Sequence, residues 1–256
     1  MTRNEALINS DIDLSQMSYL DELKKNWDGF AENDPFWAIL AEDGRNKNRW
    51  SAEEFFQTGR DEIDSLIKYI DSINLKETLP METALDFGCG AGRLTQPLAE
   101  HFNEVCGVDI SSNFIRLAKK YNNYPGKCKY YWNKKNDLTI FENNKFSLIY
   151  SNIVLQHMKP VCSKRYIAEF MRVLAPGGLL IFQIPSENIT LWGKTLWKIL
   201  IPLRYFLTRQ PTMEMNCIPR TEVIDHLRKH GAIIIDVVQD EWAGKYFKSF
   251  RYCVTK

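Results

Sequence analysis

The stretch Ala84–Phe102, ALDFGCGAGRLTQPLAEHF, decides how the chain is read. An apolar run leads into three glycines packed within five residues (Gly88, Gly90 and Gly92), and a helical pattern follows. Strand, glycine loop and helix is the arrangement that aims backbone N–H groups and a helix N-terminus at a ligand. The glycines alone leave a dinucleotide, a nucleoside triphosphate, a sulfonium nucleoside and a tight turn without any ligand all open. Two features narrow the choice. Arg93 occupies the place that a dinucleotide fingerprint gives to its third glycine, and its bulk opposes the close helix–strand approach used there. No Gly-Lys-Ser/Thr follows, which removes the phosphate loop of the P-loop enzymes.

The neighbouring apolar run, VCGVDIS, carries Asp109 nineteen residues after Gly90. In parallel-sheet order Asp109 is expected at the C-terminal edge of the adjacent strand, where a carboxylate can accept both hydroxyls of a ribose. The alternative reading is an aspartate that caps the helix beginning near Ser111.

Short apolar runs alternate with helical segments from here on, the pattern of a parallel sheet covered on both faces. The spacing predicts strands at 83–88, 104–110, 128–133, 146–152 and 178–185, and helices at about 92–101, 112–121 and 160–174, the last stopped by LAPGG. A helix at 220–231 then precedes two successive strands, 232–242 and 248–256, which are expected to close the sheet as an antiparallel hairpin. Upstream, residues 1 to about 18 are expected to be loose. Residues 19–73 read as helical, broken at Asp34-Pro35 and restarted by a Ser51 cap. The expected organisation is a helical extension over 1–75 that covers cofactor or substrate, and a core domain over 76–256 interrupted by a helical insertion at 188–219.

The composition is that of a soluble globular protein: 256 residues, 45% apolar, net charge +1. No basic excess points to nucleic acid. The N-terminus lacks the apolar core of a signal peptide, and no uncharged apolar run reaches the roughly 18 residues that span a bilayer, so a cytoplasmic location is expected. Six cysteines without a CxxC pair, and four scattered histidines, predict reduced thiols and no metal site.

Four blocks in order, LDFGCGAGRLTQPLA, VCGVDIS, FSLIYSNIVLQHM and EFMRVLAPGGLLIFQIPS, give the chain from about residue 80 onward a close resemblance to the class I S-adenosylmethionine-dependent methyltransferases. The resemblance implies a Rossmann-like α/β fold, with a seven-stranded, mostly parallel sheet ending in an antiparallel hairpin, and S-adenosyl-L-methionine as cofactor. It implies that Asp86, Gly88 and Gly90 shape the pocket for the methionine part. Asp109 would then hold the ribose, Ile110 would pack on adenine, and Ser151 and Asn152 would face the methionine end. Many members carry an aspartate near position 134 that reaches the adenine amine; here Lys134 stands there, and Asn133 or Asp137 would substitute. RVLAPGG reads as helix termination and packing.

Methyl transfer from a sulfonium is an in-line displacement with a good leaving group, so alignment and exclusion of water contribute most. A base is needed where a hydroxyl acceptor must lose its proton. His157 is the candidate, with a histidine that merely orders its loop as the alternative; Glu187 is a second candidate. The family's planar-nitrogen motif, Asn/Asp-Pro-Pro-aromatic, is replaced by SNIV. The expected activity is therefore methylation of a small-molecule acceptor, at oxygen before nitrogen. A catalytically silent cofactor-binding regulator, a methyltransferase of a membrane- or lipid-linked acceptor and a nicotinamide oxidoreductase are the alternatives. Trp27, Phe30, Phe36 and Trp37 are candidates to cover the site. The apolar and basic stretch 190–210 reads as a lid, a peripheral membrane contact or a homodimer contact.

Overall fold

A computed structural model describes residues 3–189 and 213–256, with side chains from residue 18 onward. The lid, membrane-contact and dimer-contact readings of the insertion fall on 190–212, outside the described residues.

The sheet has seven strands: β1 (Thr83–Phe87), β2 (Glu104–Asp109), β3 (Cys128–Trp132), β4 (Phe146–Ser151), β5 (Leu174–Asn188), β6 (Ile233–Asp240) and β7 (Phe247–Thr255). Their order is β3-β2-β1-β4-β5-β7-β6. The first five are parallel, while β7 runs antiparallel between β5 and β6. β4 is buried along its whole length and β1 from its second residue, as expected of central strands covered on both faces. Phe182 and Tyr252, paired in register across β5 and β7, stack at 5.0 Å.

The described helices are α1 (Arg3–Asn33), α2 (Pro35–Ile39), α3 (Ala52–Ser72), α4 (Thr95–His101), α5 (Ser112–Lys120), α6 (Pro160–Val173) and α7 (Arg220–Lys229). α1 begins at Arg3, so residues 3–18 are helical rather than loose. No proline or glycine precedes Gly29 to interrupt the helix, and Pro35, with its fixed φ and missing N–H, separates it from α2. α4 starts three residues later than the pattern suggested, because Gly92, at φ 84°, belongs to the loop. β5 starts at Leu174 rather than 178: α6 ends at Val173, and LAPGG enters the sheet through a register shift opposite Phe146–Leu148.

α3 opens with the Ser51–Glu54 capping box. Its inward stripe, Phe55, Gly59, Ile63, Leu66, Ile67 and Ile70, recurs at helical spacing; Ile63, Leu66, Ile67 and Ile70 pack on the sheet, and Phe55 packs with Ala31 and Ala38 of α1 and α2. Glu62 is the charged member of the buried face. At Gly59 the helix comes so close that an added Cβ would lie 2.1 Å from the Arg93 carbonyl oxygen. Backbone opposes backbone there, so no side chain can swing away. Gly59→Ala is therefore expected to lower the unfolding free energy by about 1–3 kcal/mol through overpacking, read from urea denaturation at constant m-value.

Candidate functional site

The C-terminal ends of β1, β2 and β4 surround a cavity of about 90 Å³. Gly88 and Gly90 turn the chain out of β1 at φ 79° and 51°, a region that glycine enters without a Cβ penalty. Added Cβ atoms would strike Val154 at 2.4 Å and Ile39 at 2.6 Å, so the loop is a cradle that side chains would fill. Asp109 closes the cradle at the end of β2. Its Oδ2 accepts from the Gly90 N–H at 2.9 Å and its Oδ1 from the Ser111 N–H at 2.8 Å. Both bonds come from backbone, leaving each oxygen a lone-pair direction for a ligand hydroxyl. Capping of α5 falls to Ser111, whose Oγ accepts from the Phe114 N–H.

Asp86 lies below the loop and accepts from Thr95 Oγ at 2.6 Å. Desolvation pushes Asp86 up to about 7 and Asp109 up to about 6. On the other wall Asn152 donates from Nδ2 to Glu62 Oε1 at 2.8 Å. Tyr150 OH donates to the same oxygen at 2.9 Å, and Arg93 Nη2 donates to Glu62 Oε2 at 2.7 Å.

α1 and α2 form the outer wall. Leu20, Leu23 and Trp27 line it from α1 and Ala38 and Ile39 from α2. Asp28 Oδ1 fastens α1 to the α5 N-terminus by accepting from Ser111 Oγ at 2.7 Å and the Asn113 N–H at 3.3 Å. Trp27 meets the His157 ring edge-on at 5.3 Å. His157 Nδ1 lies 2.7 Å from the Glu214 carbonyl oxygen. A carbonyl can only accept, so the proton sits on Nδ1 and Nε2 is left to accept from Gln156 Nε2 at 3.3 Å. Burial pulls the imidazole down to about 4, so His157 is neutral around pH 7.

Asp86, Gly88, Gly90, Asp109, Ile110, Asn133, Asn152 and His157 all line this cavity. Asn133 spends its amide on its own loop, donating to the Lys135 and Asp137 carbonyls and accepting from the Lys135 N–H. Three expected residues lie off the cavity. Asp137 turns its carboxylate to the Thr139 N–H and hydroxyl, which closes a local turn. Ser151 donates to the Phe87 carbonyl at 3.1 Å and ties β4 to β1. Glu187 is exposed on β5, 3.8 Å from Lys248 on the neighbouring strand. Sequence reasoning passed over Glu62, Asp28 and Glu214. The signal for Glu62 was a lone carboxylate on the buried face of α3, one turn after Gly59.

Residues 85–182 match a family model described as a methyltransferase domain. The ubiquinone biosynthesis O-methyltransferase of Coxiella burnetii is 28% identical over 130 residues, which cover 51% of this chain and 53% of that protein. The chain thus spans about half the length of the curated relatives it matches. Among solved structures, magnesium protoporphyrin IX methyltransferase from Synechocystis with bound S-adenosylhomocysteine superposes with a TM-score of 0.58 at 18% identity, over 86% of this chain and 93% of that one. A methyltransferase from Leishmania major gives 0.63 at 12%, over 91% and 83%.

The cavity's titrating groups oppose one another. Asp86 and Asp109 have folded pKa values above the unfolded ones, so the stability they add in acid is lost as pH rises through about 6 and 7. His157 has a folded value below its ordinary one, so its contribution is lost as pH falls from 6.5 towards 4. Two carboxyls outweigh one imidazole, and the urea midpoint of the ligand-free protein is expected to fall between pH 5 and 8. Asp86→Asn should flatten that fall; a midpoint that rises over the same range would contradict the assignment.

Proposed function

On the premise that residues 85–182 form a class I S-adenosylmethionine-dependent methyltransferase domain, we propose that the protein methylates a small molecule at a hydroxyl oxygen. The observation that carries the reading is the Asp109 carboxylate, facing the Gly88–Gly90 cradle with a lone pair free on each oxygen. The residues fit the cofactor: Asp109 would take the ribose hydroxyls, Ile110 an adenine face, the loop backbone and Asp86 the methionine part, and Asn152 its far end. S-adenosyl-L-methionine supplies the methyl group, on a sulfur ready to leave as a neutral thioether.

The chain's own contribution is alignment and exclusion of water. Leu20, Leu23, Trp27 and Ile39 put an apolar wall opposite the sheet edge. A cavity of 90 Å³ is well below the roughly 300–1,000 Å³ typical of ligand sites, and Ile39 sits on the Gly90 cradle. Withdrawal of α2 would open the cradle to the cofactor, so α1 and α2 are the cover in this reading and α3 belongs to the core.

The acceptor's acidity follows from His157. With its imidazole depressed to about 4 and Nε2 engaged by Gln156, it is a weak proton acceptor near neutrality. An acceptor that gives up its proton without a strong base, as a phenol of pKa about 10 does more readily than an alcohol, suits such a site. The apolar wall suits the ring of such a molecule, and the similarity to an O-methyltransferase of ubiquinone biosynthesis supports the choice of oxygen.

The test is transfer of label from S-adenosylmethionine to a panel of phenols and amines, with phenols expected to accept. His157→Asn should retain kcat within tenfold at pH 8, whereas a true general base would cost about a hundredfold or more. In calorimetric titration Asp109→Ala should raise the Kd of S-adenosylhomocysteine at least tenfold, in line with about 1.5–3 kcal/mol for a hydrogen bond to a charged group.

A further inference from the structure

We infer that Glu62, on α3 and outside the matched domain, is a positioning residue for the amino-acid end of the cofactor, acting through Asn152. The inference rests on the cofactor reading above and adds a residue to it.

A carboxamide has a donor end and an acceptor end of nearly the same shape, so an unrestrained asparagine can turn either towards a ligand. Asn152 is restrained. Its Nδ2 donates to Glu62 Oε1 at 2.8 Å, and a carboxylate oxygen can only accept. The flip is therefore set by chemistry, and among the described residues Asn152 Oδ1 has no hydrogen-bond partner. Asn152 is 5% exposed and lines the cavity, so the polar atom it offers there is an acceptor. An acceptor suits the α-ammonium of a methionine moiety and repels its carboxylate.

Glu62 is itself held from two further sides. Tyr150, on β4 two residues before Asn152, donates to Oε1 at 2.9 Å, and Arg93 pairs with Oε2 at 2.7 Å. The pair is sealed, with side chains 3% and 5% exposed. Burial holds the Tyr150 hydroxyl well above its ordinary pKa, so it stays a donor at all working pH. The close approach at Gly59 delivers Glu62 to this point from one helical turn away. A buried ion pair is seldom more stabilising than an apolar pair of the same size, so packing alone gives little reason for a carboxylate here. Orientation of the amide does.

Glu62→Gln tests this. The cationic Arg93 takes the new carbonyl oxygen, so the NH₂ faces the Tyr150–Asn152 pair and the acceptor that restrains Asn152 is lost. Two probes are titrated calorimetrically: S-adenosylhomocysteine, which carries the amino-acid end, and 5′-methylthioadenosine, which lacks it. Glu62→Gln is expected to weaken S-adenosylhomocysteine tenfold or more and methylthioadenosine less than threefold. Asn152→Ala should show the same selective loss, and the double variant no more than Asn152→Ala alone. Equal weakening of both probes, or additive losses in the double variant, would assign Glu62 a purely structural role. If Glu62→Gln does not fold, a non-selective Asn152→Ala overturns the inference by itself. A wild-type protein that binds neither probe would instead sink the cofactor reading.

Discussion

The sealed contact between Glu62 and Arg93 is the constraint around which the rest of the site is arranged. Arg93 follows the glycine loop directly, Glu62 comes from a helix upstream of the whole sheet, and the carboxylate also holds Tyr150 on β4 and Asn152 just past its end. One side chain thus fixes three things relative to each other: where α3 lies, how the loop leaves β1, and which face β4 turns to the cavity. Removing one partner would strand the other charge in a dry interior, which typically costs about 3–5 kcal/mol. The N-terminal helices are accordingly part of the core: α3 packs Ile63, Leu66, Ile67 and Ile70 into the same cluster as Leu85's neighbour Ala84 and Leu98.

The outer wall is built on a different principle. α1 is fastened by Asp28 to the start of α5, and α2 reaches the loop through one apolar side chain, Ile39. A five-residue helix that contributes Ala38 as its buried residue can shift at far lower cost than α3 can. Charge pairs and backbone contacts thus secure the loop side of the cavity, whereas α2 rests on it through a few apolar contacts.

What the sequence made legible follows the same division. The strand positions, the closing hairpin, the glycine loop and the place of Asp109 all follow from local signals: runs of apolar residues, glycines at short spacing, an aspartate ending a strand. Side chains whose role depends on a partner far along the chain were not legible. Asp137 and Glu187 sat at plausible distances from the strand ends, yet one closes a turn with Thr139 and the other faces Lys248 in the open. Glu62 and Arg93 stand 31 positions apart, and nothing in either segment names the other. LAPGG misled for a physical reason: proline and glycine mark the end of α6, but a register shift lets the same residues open β5.

Residues 156 to 158 join the two kinds of construction. The Asn216 N–H donates to the Gln156 carbonyl at 2.7 Å and His157 Nδ1 to the Glu214 carbonyl, so the chain that returns from the insertion is pinned by backbone bonds beside the cavity. Tyr19 of α1 donates to the Glu214 carboxylate and accepts from the Lys159 N–H, fastening α1 to the same spot. The Gln156 amide continues inward to Gln183, which bonds Ser249 on β7. A histidine in such a chain has both nitrogens committed, and its low basicity is the electrostatic consequence of the burial that makes it a good pin. Tyr19 of α1, residues 156–159 and residues 214–216 are thus tied together beside the cavity, and the first and last of these lie outside residues 85–182. The glycine cradle that follows β1 and Asp109 at the end of β2, by contrast, lie within that span. Changes in the outer elements can therefore reshape that side of the cavity while leaving the glycine cradle and Asp109 untouched.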